Sequence, residues 1–232
     1  MPDTLAGRLM LKLQWAVAGL SYGLTNYRHP LRLPSIAASR DARRMAGVAA
    51  TPLECVELFN AVTACEKLPG DMAEAGVYRG GSAAVMLAAS RLKRLHLFEG
   101  LPHAEAGFSA GEYLGSDKDV RDNLSQWPNR IVLHKGLFPD SAIGLEQMRF
   151  WFVHLGLDLY DSTAAALEWF WPRISSGGIL LSHDYPLIDG VVQAFHEFFD
   201  GRPEPFIPAL WKSVHGREVL RNSARQLGRR PD

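Results

Sequence analysis

The chain has 232 residues, of which 47% are hydrophobic and 22% are charged, a composition typical of a globular protein that can bury a sizeable core. It excludes a disordered chain, a coiled coil and a collagen-like fibre. Because 25 Lys and Arg residues balance 25 Asp and Glu residues, no overall basic field exists to hold nucleic acid, and no polynucleotide partner is expected.

The chain begins with a segment that differs in pattern from the rest. Residues 4–24 are typical of an amphipathic helix that packs on the domain or on a second copy of the chain. Its apolar stretch is too short to span a bilayer and lacks a clean cleavage site, so neither a transmembrane segment nor a signal peptide is expected. Peripheral contact with a membrane is the alternative interpretation of this helix.

Residues 25–50 are interpreted as an irregular connector in which Arg40, Arg43 and Arg44 form a solvated face. We therefore expect residues 1–50 to be an N-terminal helical arm that serves as a lid or a dimer contact. Residues 51–232 are expected to form the main domain.

A helix is predicted to begin at Thr51-Pro52, where a capping residue precedes a proline. It contains the two cysteines, Cys55 and Cys65, which lie about 15 Å apart along its axis and cannot pair there. Neither belongs to a CxxC motif or a Cys/His cluster. Two buried free thiols and a reducing compartment, the cytoplasm, are expected.

From residue 71 onwards short apolar strands alternate with helices. The predicted strands are 71–75, 95–99, 131–134, 150–157 and 178–182, and the predicted helices between and after them are 82–92, 117–126, 163–170 and 191–199. Near-continuous apolar strands that alternate with helices predict an α/β fold, a doubly wound, mostly parallel sheet covered on both faces. A hairpin at 208–220 is expected at one edge of the sheet.

The first predicted strand runs into a glycine-rich turn, Glu74 to Ser82, with the sequence EAGVYRGGS. Glycines let a backbone approach a ligand, and the N-terminus of the following helix offers N–H groups to an anion. The spacing differs from the GxGxxG of dinucleotide binders, which disfavours a nicotinamide-dependent oxidoreductase. A purely structural turn is the other interpretation of the glycines.

Further motifs follow this turn in order: FEGLP at 98–102, VRDNL at 120–124, KGLF at 135–138, LDLYDST at 157–163 and HDY at 183–185. Together they resemble the macrocin O-methyltransferase (TylF-like) family of class I S-adenosylmethionine-dependent methyltransferases, over roughly residues 50–221. The resemblance implies a class I methyltransferase, Rossmann-like fold. It also implies methylation of a hydroxyl on a small molecule such as a sugar or natural product.

The resemblance also implies how S-adenosylmethionine is held. The positions implied for cofactor binding are Glu74, Gly76, Tyr78, Arg79, Gly80 and Ser82 in the first loop, Glu99 after the second strand, and Gly136 and Phe138 after the third. Glu99 is expected to accept hydrogen bonds from both ribose hydroxyls, as a carboxylate can. The alternative is that Glu99 only shapes its loop.

Polar residues also follow the fourth and fifth predicted strands. Asp158 follows the fourth strand, and His183 and Asp184 follow the fifth, so parallel strands should bring these three side chains together at one edge of the sheet. Such a cluster suits a divalent cation. By resemblance, these positions bind magnesium, which would anchor the acceptor and lower the pKa of its hydroxyl. Asp158 and His183 are the predicted catalytic residues.

Two positions depart from the family pattern, which commonly has Asp where Gly156 and His183 stand. Fewer oxygen ligands should weaken magnesium binding or shift the preference towards manganese, iron or zinc. Three hypotheses stay open: metal-assisted methyl transfer, a metal-free site with His183 as general base, and a catalytically inert methyltransferase-like module that binds a partner. His154, within the fourth strand, is interpreted as a core histidine. A homodimer through residues 4–67 is expected.

Overall fold

The computed structural model describes residues 34–46, 52–99, 116–185 and 187–202. The predicted helix at 4–24 and the predicted hairpin at 208–220 lie outside these residues.

Five parallel strands form one sheet in the order β3-β2-β1-β4-β5. They are β1 Asp71–Ala75, β2 Leu95–Glu99, β3 Ile131–Leu137, β4 Phe150–Leu155 and β5 Ile174–Ser182. All six residues of β4 are buried, as expected for a central strand that has helices on both sides. The doubly wound α/β fold predicted from the sequence is confirmed.

In the part of the chain that the structure describes, six α-helices cover the sheet: α1 Pro34–Ala46, α2 Pro52–Cys65, α3 Gly81–Ala89, α4 Asp117–Asn123, α5 Tyr160–Phe170 and α6 Asp189–Phe199. Short 3-10 turns at Asp140–Ala142 and Trp171–Arg173 add to these. Buried residues of α1 to α4 pack on one face of the sheet. Residues of α5 and α6 pack on the other face, so each face has its own apolar core.

Helix α1 corrects the prediction of an irregular connector at 25–50. Pro34 is its first residue, a helix position at which the missing N–H of proline costs nothing. Its buried face is formed mostly by small residues: Ser35, Ile36, Ser39, Ala42 and Ala46. Serine and alanine give a weak apolar signal, which explains why the sequence pattern did not reveal the helix.

Two of the arginines of this segment, Arg40 and Arg44, are exposed as predicted, and Arg43 is half-buried. Ala42 of α1 belongs to the same core cluster as Leu58 of α2. Part of the predicted N-terminal arm therefore packs directly on the helices that cover one face of the sheet. The division of the chain at residue 50 stays a prediction.

Both cysteines are buried and neither forms a disulfide, as predicted. Burial is the main cause that raises the pKa of the Cys55 thiol to about 12, so the thiolate is scarce at neutral pH. Among the described residues, no helix combines the length and the apolar character that a membrane crossing requires. A cytoplasmic location and a homodimer stay predictions.

The central strands β1 and β4 create the crevice of the fold. Chain connections leave these two neighbours in opposite directions along the sheet, and in open α/β sheets ligands bind at such a switch point, beyond the carboxyl ends of the strands. Gly76 follows β1 with φ +92°, and a Cβ there would lie 1.8 Å from the carbonyl oxygen of Gly156 after β4. Only glycine at position 76 permits this approach.

Candidate active site

The loop after β1 is held by backbone contacts to both neighbouring strands. Gly76 N–H donates to Phe98 O at 3.1 Å, and Gly156 N–H donates to Ala75 O at 2.9 Å. Gly80, with φ +82°, is the cap residue at the start of α3. The first-turn N–H groups of α3 therefore lie at this edge of the sheet, where they suit an anionic group.

Two further features fix the shape of this loop. Tyr78 has φ +49°, a left-handed conformation that non-glycine residues seldom adopt. The Asn123 side chain at the end of α4 donates to Arg79 O at 3.0 Å. The VRDNL motif thus contributes to the glycine loop from a distant part of the chain.

Glu74 is completely buried in β1. Its Oε1 accepts a hydrogen bond from His154 Nδ1 at 2.8 Å, whereas its Oε2 is buried without a hydrogen-bond partner among the described residues. A buried carboxylate oxygen without a donor is costly. The orphaned Oε2, beside a glycine loop at the switch point, fits a ligand that brings a donor group, such as the ammonium of S-adenosylmethionine.

Glu99 ends β2 and is half-buried at the same edge. Burial raises the pKa of its carboxyl, and the neighbouring Asp117 raises it further, whereas Lys135 opposes the shift. Lys135 Nζ forms an ion pair with Asp117 Oδ2 at 2.9 Å. Glu99 therefore stands in a small charged cluster next to the glycine loop, the position predicted for the ribose carboxylate.

The KGLF segment lies at the end of β3, one strand beyond Glu99. Gly136 has φ +99°. The Phe138 ring is buried and stacks on the Phe170 ring, with centroids 5.1 Å apart, so its side chain belongs to the core under α5 and is not gathered with the other predicted cofactor residues. Its backbone N–H points to the neighbouring strand β2, donating to Glu99 O at 3.4 Å.

Asp158, His183 and Asp184 come together, as the sequence predicted. The backbone N–H of Asp158 donates to Asp184 Oδ2 at 3.3 Å, and His183 Nε2 lies 3.1 Å from Asp184 Oδ1. Asp158 has φ +58°. Burial, and then the charge of Asp184, raise the pKa of Asp158 to about 6, with His183 acting in the opposite direction.

His154 connects this cluster to Glu74, a role that the sequence analysis missed. As predicted, it is a buried histidine of β4, but its Nε2 lies 3.1 Å from His183 Nδ1. The contact between Glu74 and His154 follows from the strand register, because the two residues are direct partners on the neighbouring strands β1 and β4. We call the connected series Glu74, His154, His183 and Asp184 the histidine chain.

The donor atoms that were expected to hold a divalent cation are engaged with one another and with His154. Both ring nitrogens of His183 are engaged, with His154 and with Asp184, and the two oxygens of Asp184 contact His183 and Asp158. Across the part of the chain that the structure describes, no group of three His, Cys, Asp or Glu side chains is arranged to hold a metal. This donor set does not fit magnesium, which requires oxygen ligands in near-octahedral geometry.

Gly156 explains why no third carboxylate completes the set. A Cβ at this position would lie 2.6 Å from Cε1 and 3.2 Å from Nδ1 of His183. The imidazole therefore occupies the space that a side chain at 156 would need. The two departures from the family pattern, Gly156 and His183, therefore depend on each other, because the imidazole needs the space that glycine leaves. The divalent cation stays a prediction that this geometry does not support.

The fold is a doubly wound parallel sheet with a glycine loop after β1, an acid at the end of β2 and polar groups after β4 and β5. Together these features define a class I methyltransferase type of domain. Residues 40–207 match the model of the macrocin-O-methyltransferase (TylF) family. The chain belongs to this family.

Curated relatives and solved structures agree with this membership. A Streptomyces olivaceus enzyme, 8-demethyl-8-(2,3-dimethoxy-alpha-L-rhamnosyl)-tetracenomycin-C 4'-O-methyltransferase, is 32% identical over 166 residues, which are 62% of this chain and 62% of the relative. The demethyldecarbamoylnovobiocin O-methyltransferase of Streptomyces niveus is 24% identical over 153 residues, which are 56% of this chain and 58% of that protein. The chain thus spans about three fifths of the length of these relatives.

Two solved O-methyltransferases share the fold. NovP superposes with a TM-score of 0.54 at 23% identity, over 83% of this chain and 90% of NovP. An O-methyltransferase from Bacillus cereus, solved in complex with SAH, superposes with a TM-score of 0.52 at 17% identity, over 82% of this chain and 86% of its own.

Proposed function

We propose that the protein transfers a methyl group from S-adenosylmethionine to a hydroxyl of a sugar or natural product, with His183 as the general base. One observation carries this proposal. A buried carboxylate oxygen of Glu74 that lacks a hydrogen-bond partner among the described residues lies at the same sheet edge as the His183 imidazole, which is 22% exposed. A methyltransferase needs a site for a cationic cofactor beside a group that takes a proton. Membership of the macrocin-O-methyltransferase family supports the same reaction.

The residues proposed to hold the cofactor lie in the loops after β1 and β2. Glu74 Oε2 accepts from the amino group, the backbone of Gly76 to Gly80 approaches the methionyl part, and Glu99 accepts from the ribose hydroxyls. The bound cofactor supplies a methyl group on a sulfonium, an electrophile that needs no further activation. That the Bacillus cereus neighbour was solved with SAH is consistent with this assignment.

His183 is proposed to act on the acceptor. For this step the acceptor hydroxyl replaces Asp184 Oδ1 as the partner of Nε2. Nε2 then takes the proton of the hydroxyl as the O–H bond breaks, and the oxygen forms the new bond to the methyl carbon. The methyl–sulfur bond breaks with its electron pair left on sulfur, so S-adenosylhomocysteine and the methyl ether are the products. Asp184 Oδ1, 3.1 Å from Nε2, stabilises the imidazolium that forms.

The proposed acceptor class follows from the relatives. One curated relative is named as a 4'-O-methyltransferase of a rhamnosyl tetracenomycin, and the other as an O-methyltransferase of demethyldecarbamoylnovobiocin. We therefore propose a hydroxyl on a deoxysugar, such as a rhamnosyl group, as the acceptor. An inert module remains the competing function, and it predicts no turnover of any glycoside.

The first experiment is calorimetric titration of S-adenosylhomocysteine into the full chain. We expect a Kd on the order of 1–100 μM, the range in which enzymes bind their substrates. Glu99→Gln should weaken binding roughly tenfold, equivalent to about 1.4 kcal/mol. Glu168→Gln, an exposed acid on α5, is the matched control and should leave the Kd unchanged. Absence of binding by the wild-type protein would overturn the proposal.

The second experiment follows methyl transfer to a panel of rhamnosyl glycosides, including the demethylated substrates of the two relatives, in EDTA and in millimolar magnesium or manganese. We expect equal rates in EDTA and in metal, with loss of turnover in His183→Ala. A rate that requires added metal and disappears in EDTA would instead restore the metal-assisted hypothesis. No transfer to any glycoside, despite cofactor binding, would favour the inert module.

A further inference from the structure

We propose that Asn123, the last residue of α4, is a positioning residue for the cofactor. Its side-chain amide holds the glycine loop, residues 76–80, in the conformation that receives the methionyl part of S-adenosylmethionine. The inference rests on the proposed function, because it takes this loop as the cofactor loop. It extends that function to a residue of α4 that acts through the loop.

The glycine loop has a backbone conformation that needs support. Gly76, Tyr78 and Gly80 have φ values of +92°, +49° and +82°. Glycine adopts such values freely, whereas a residue with a Cβ is disfavoured in the left-handed conformation by about 5- to 30-fold. A residue such as Tyr78 therefore keeps this conformation only where the surrounding structure holds it.

The peptide group between Arg79 and Gly80 is held at both of its ends. Gly80 N–H donates to Val77 O at 2.8 Å, a hydrogen bond within the loop. Arg79 O accepts from Asn123 Nδ2 at 3.0 Å, a hydrogen bond to a residue 44 positions away in the sequence. Because a peptide group is planar, the two bonds together fix its orientation directly before the first turn of α3.

Helix α4 is itself fixed, so the amide of Asn123 has a defined place. Ser116 caps the first turn of α4 through a hydrogen bond of 3.0 Å. Leu124, directly after α4, is completely buried and lies against Gly80, where a Cβ would be 3.3 Å from Leu124 Cδ1. Two successive residues at the end of α4 thus contact two successive residues of the glycine loop.

The expected effect follows from two opposing factors of similar size. One hydrogen bond favours a conformation by about 2- to 12-fold, which is comparable to the factor by which its own conformation disfavours Tyr78. Without the bond from Asn123, a sizeable share of the molecules should have the loop in other conformations. Because apparent affinity falls with the fraction of protein that is competent to bind, the Kd of S-adenosylhomocysteine should rise by roughly 3- to 10-fold.

Two substitutions remove the donor without disturbing the helix. Asn123→Ala deletes the amide, and Asn123→Asp keeps its size but replaces the donor with an oxygen that accepts. Alanine is a better helix former than asparagine, so the melting temperature of Asn123→Ala should not fall. Asn129→Ala, the same change in an exposed turn before β3, is the matched control and should leave the Kd unchanged.

Calorimetry with two ligands separates positioning from a general loss of structure. 5′-Methylthioadenosine lacks the amino and carboxylate groups of S-adenosylhomocysteine, so its Kd should be the same in Asn123→Ala and the wild type. An equal loss of affinity for both ligands would overturn the proposal. So would an unchanged Kd of S-adenosylhomocysteine in both Asn123 variants, or a loss of affinity that follows a lowered melting temperature.

Hydrogen exchange of the ligand-free protein provides a readout that does not depend on the cofactor. The Gly80 amide, followed by NMR, should exchange roughly 3- to 10-fold faster in Asn123→Ala than in the wild type, and Asn129→Ala should behave as the wild type. An unchanged rate would refute the inference even if the wild type binds S-adenosylhomocysteine. Conversely, faster exchange in a protein that binds no S-adenosylhomocysteine would refute the proposed function and leave the role of Asn123 in holding the loop intact.

Discussion

Gly76→Ala should destabilise the protein by about 3–5 kcal/mol, because the two central strands approach each other too closely at this point for a side chain. The Cβ would lie 1.8 Å from Gly156 O, whereas real Cβ contacts are not found under 3.0 Å, so the two backbones must separate by about 1.2 Å. Such a separation breaks the hydrogen bond of 2.9 Å from Gly156 N–H to Ala75 O.

The estimate has three parts. An L-residue at φ +92° carries about 1–2 kcal/mol of strain, loss of the hydrogen bond adds about 1 kcal/mol, and the forced backbone shift adds about 1–2 kcal/mol, as overpacking does. For a protein of this size, 1 kcal/mol lowers the melting temperature by about 2–4 °C. The expected decrease is therefore on the order of 10 °C.

Gly144→Ala is the matched control. Gly144 has nearly the same backbone conformation, with φ +90°, but a Cβ there would meet nothing within 4 Å. This variant should therefore show only the strain, about 1–2 kcal/mol. Urea denaturation of both variants measures the difference. If Gly76→Ala loses no more stability than Gly144→Ala, the reasoning about the close approach of β1 and β4 is wrong.

Three other substitutions test the site and the core. Asp158→Asn should stabilise the protein by roughly 1 kcal/mol at pH 7.5 and by almost nothing at pH 4. The figure at pH 7.5 takes into account that solvent screens the partly exposed Asp158 side chain. The folded-state pKa of Asp158, about 6, lies above the ordinary aspartate value of 3.8, so protonation of this carboxyl favours folding. This contribution to stability is lost as pH rises from about 4 through about 6. Urea denaturation at both pH values gives the sign of the change. Phe138→Ala should cost about 3 kcal/mol through the cavity it leaves against Phe170, with the Kd of S-adenosylhomocysteine unchanged in calorimetry. Gly156→Ala should displace the His183 ring and lower kcat by roughly tenfold, and a crystal structure of this variant with the ring unmoved would contradict the steric argument.

The strands of the sheet could be predicted from the sequence because parallel strands that are buried on both faces consist of continuous apolar runs. Phe150 to Leu155 is such a run, and its strand was predicted to within two residues. Helix α1 was missed for the opposite reason, since its contact face consists mostly of serine and alanine. Small side chains allow this helix to pack closely on its neighbours. A search for a periodic pattern of large apolar side chains does not detect such a helix.

The convergence of three polar side chains was predicted from the sequence, but the contacts that connect them to the rest of the site were not. The topology rule for parallel strands placed Asp158, His183 and Asp184 at one edge, and the structure brings them together. The contact from His183 through His154 to Glu74 depends on the register between β1 and β4, which requires knowing that these strands are neighbours. The steric exclusion between Gly156 and His183 depends on a ring orientation, which no spacing in the sequence encodes.

The shared space at positions 156 and 183 constrains how such a site can change over evolutionary time. A carboxylate at 156 can be gained only if the imidazole of His183 moves, because its Cε1 lies 2.6 Å from the place of the new Cβ. A lineage that moves between a histidine site and a three-acid site avoids this clash when residue 183 becomes smaller before residue 156 becomes larger. The intermediate on that path has neither arrangement intact, so the path passes through a protein with a weakened site.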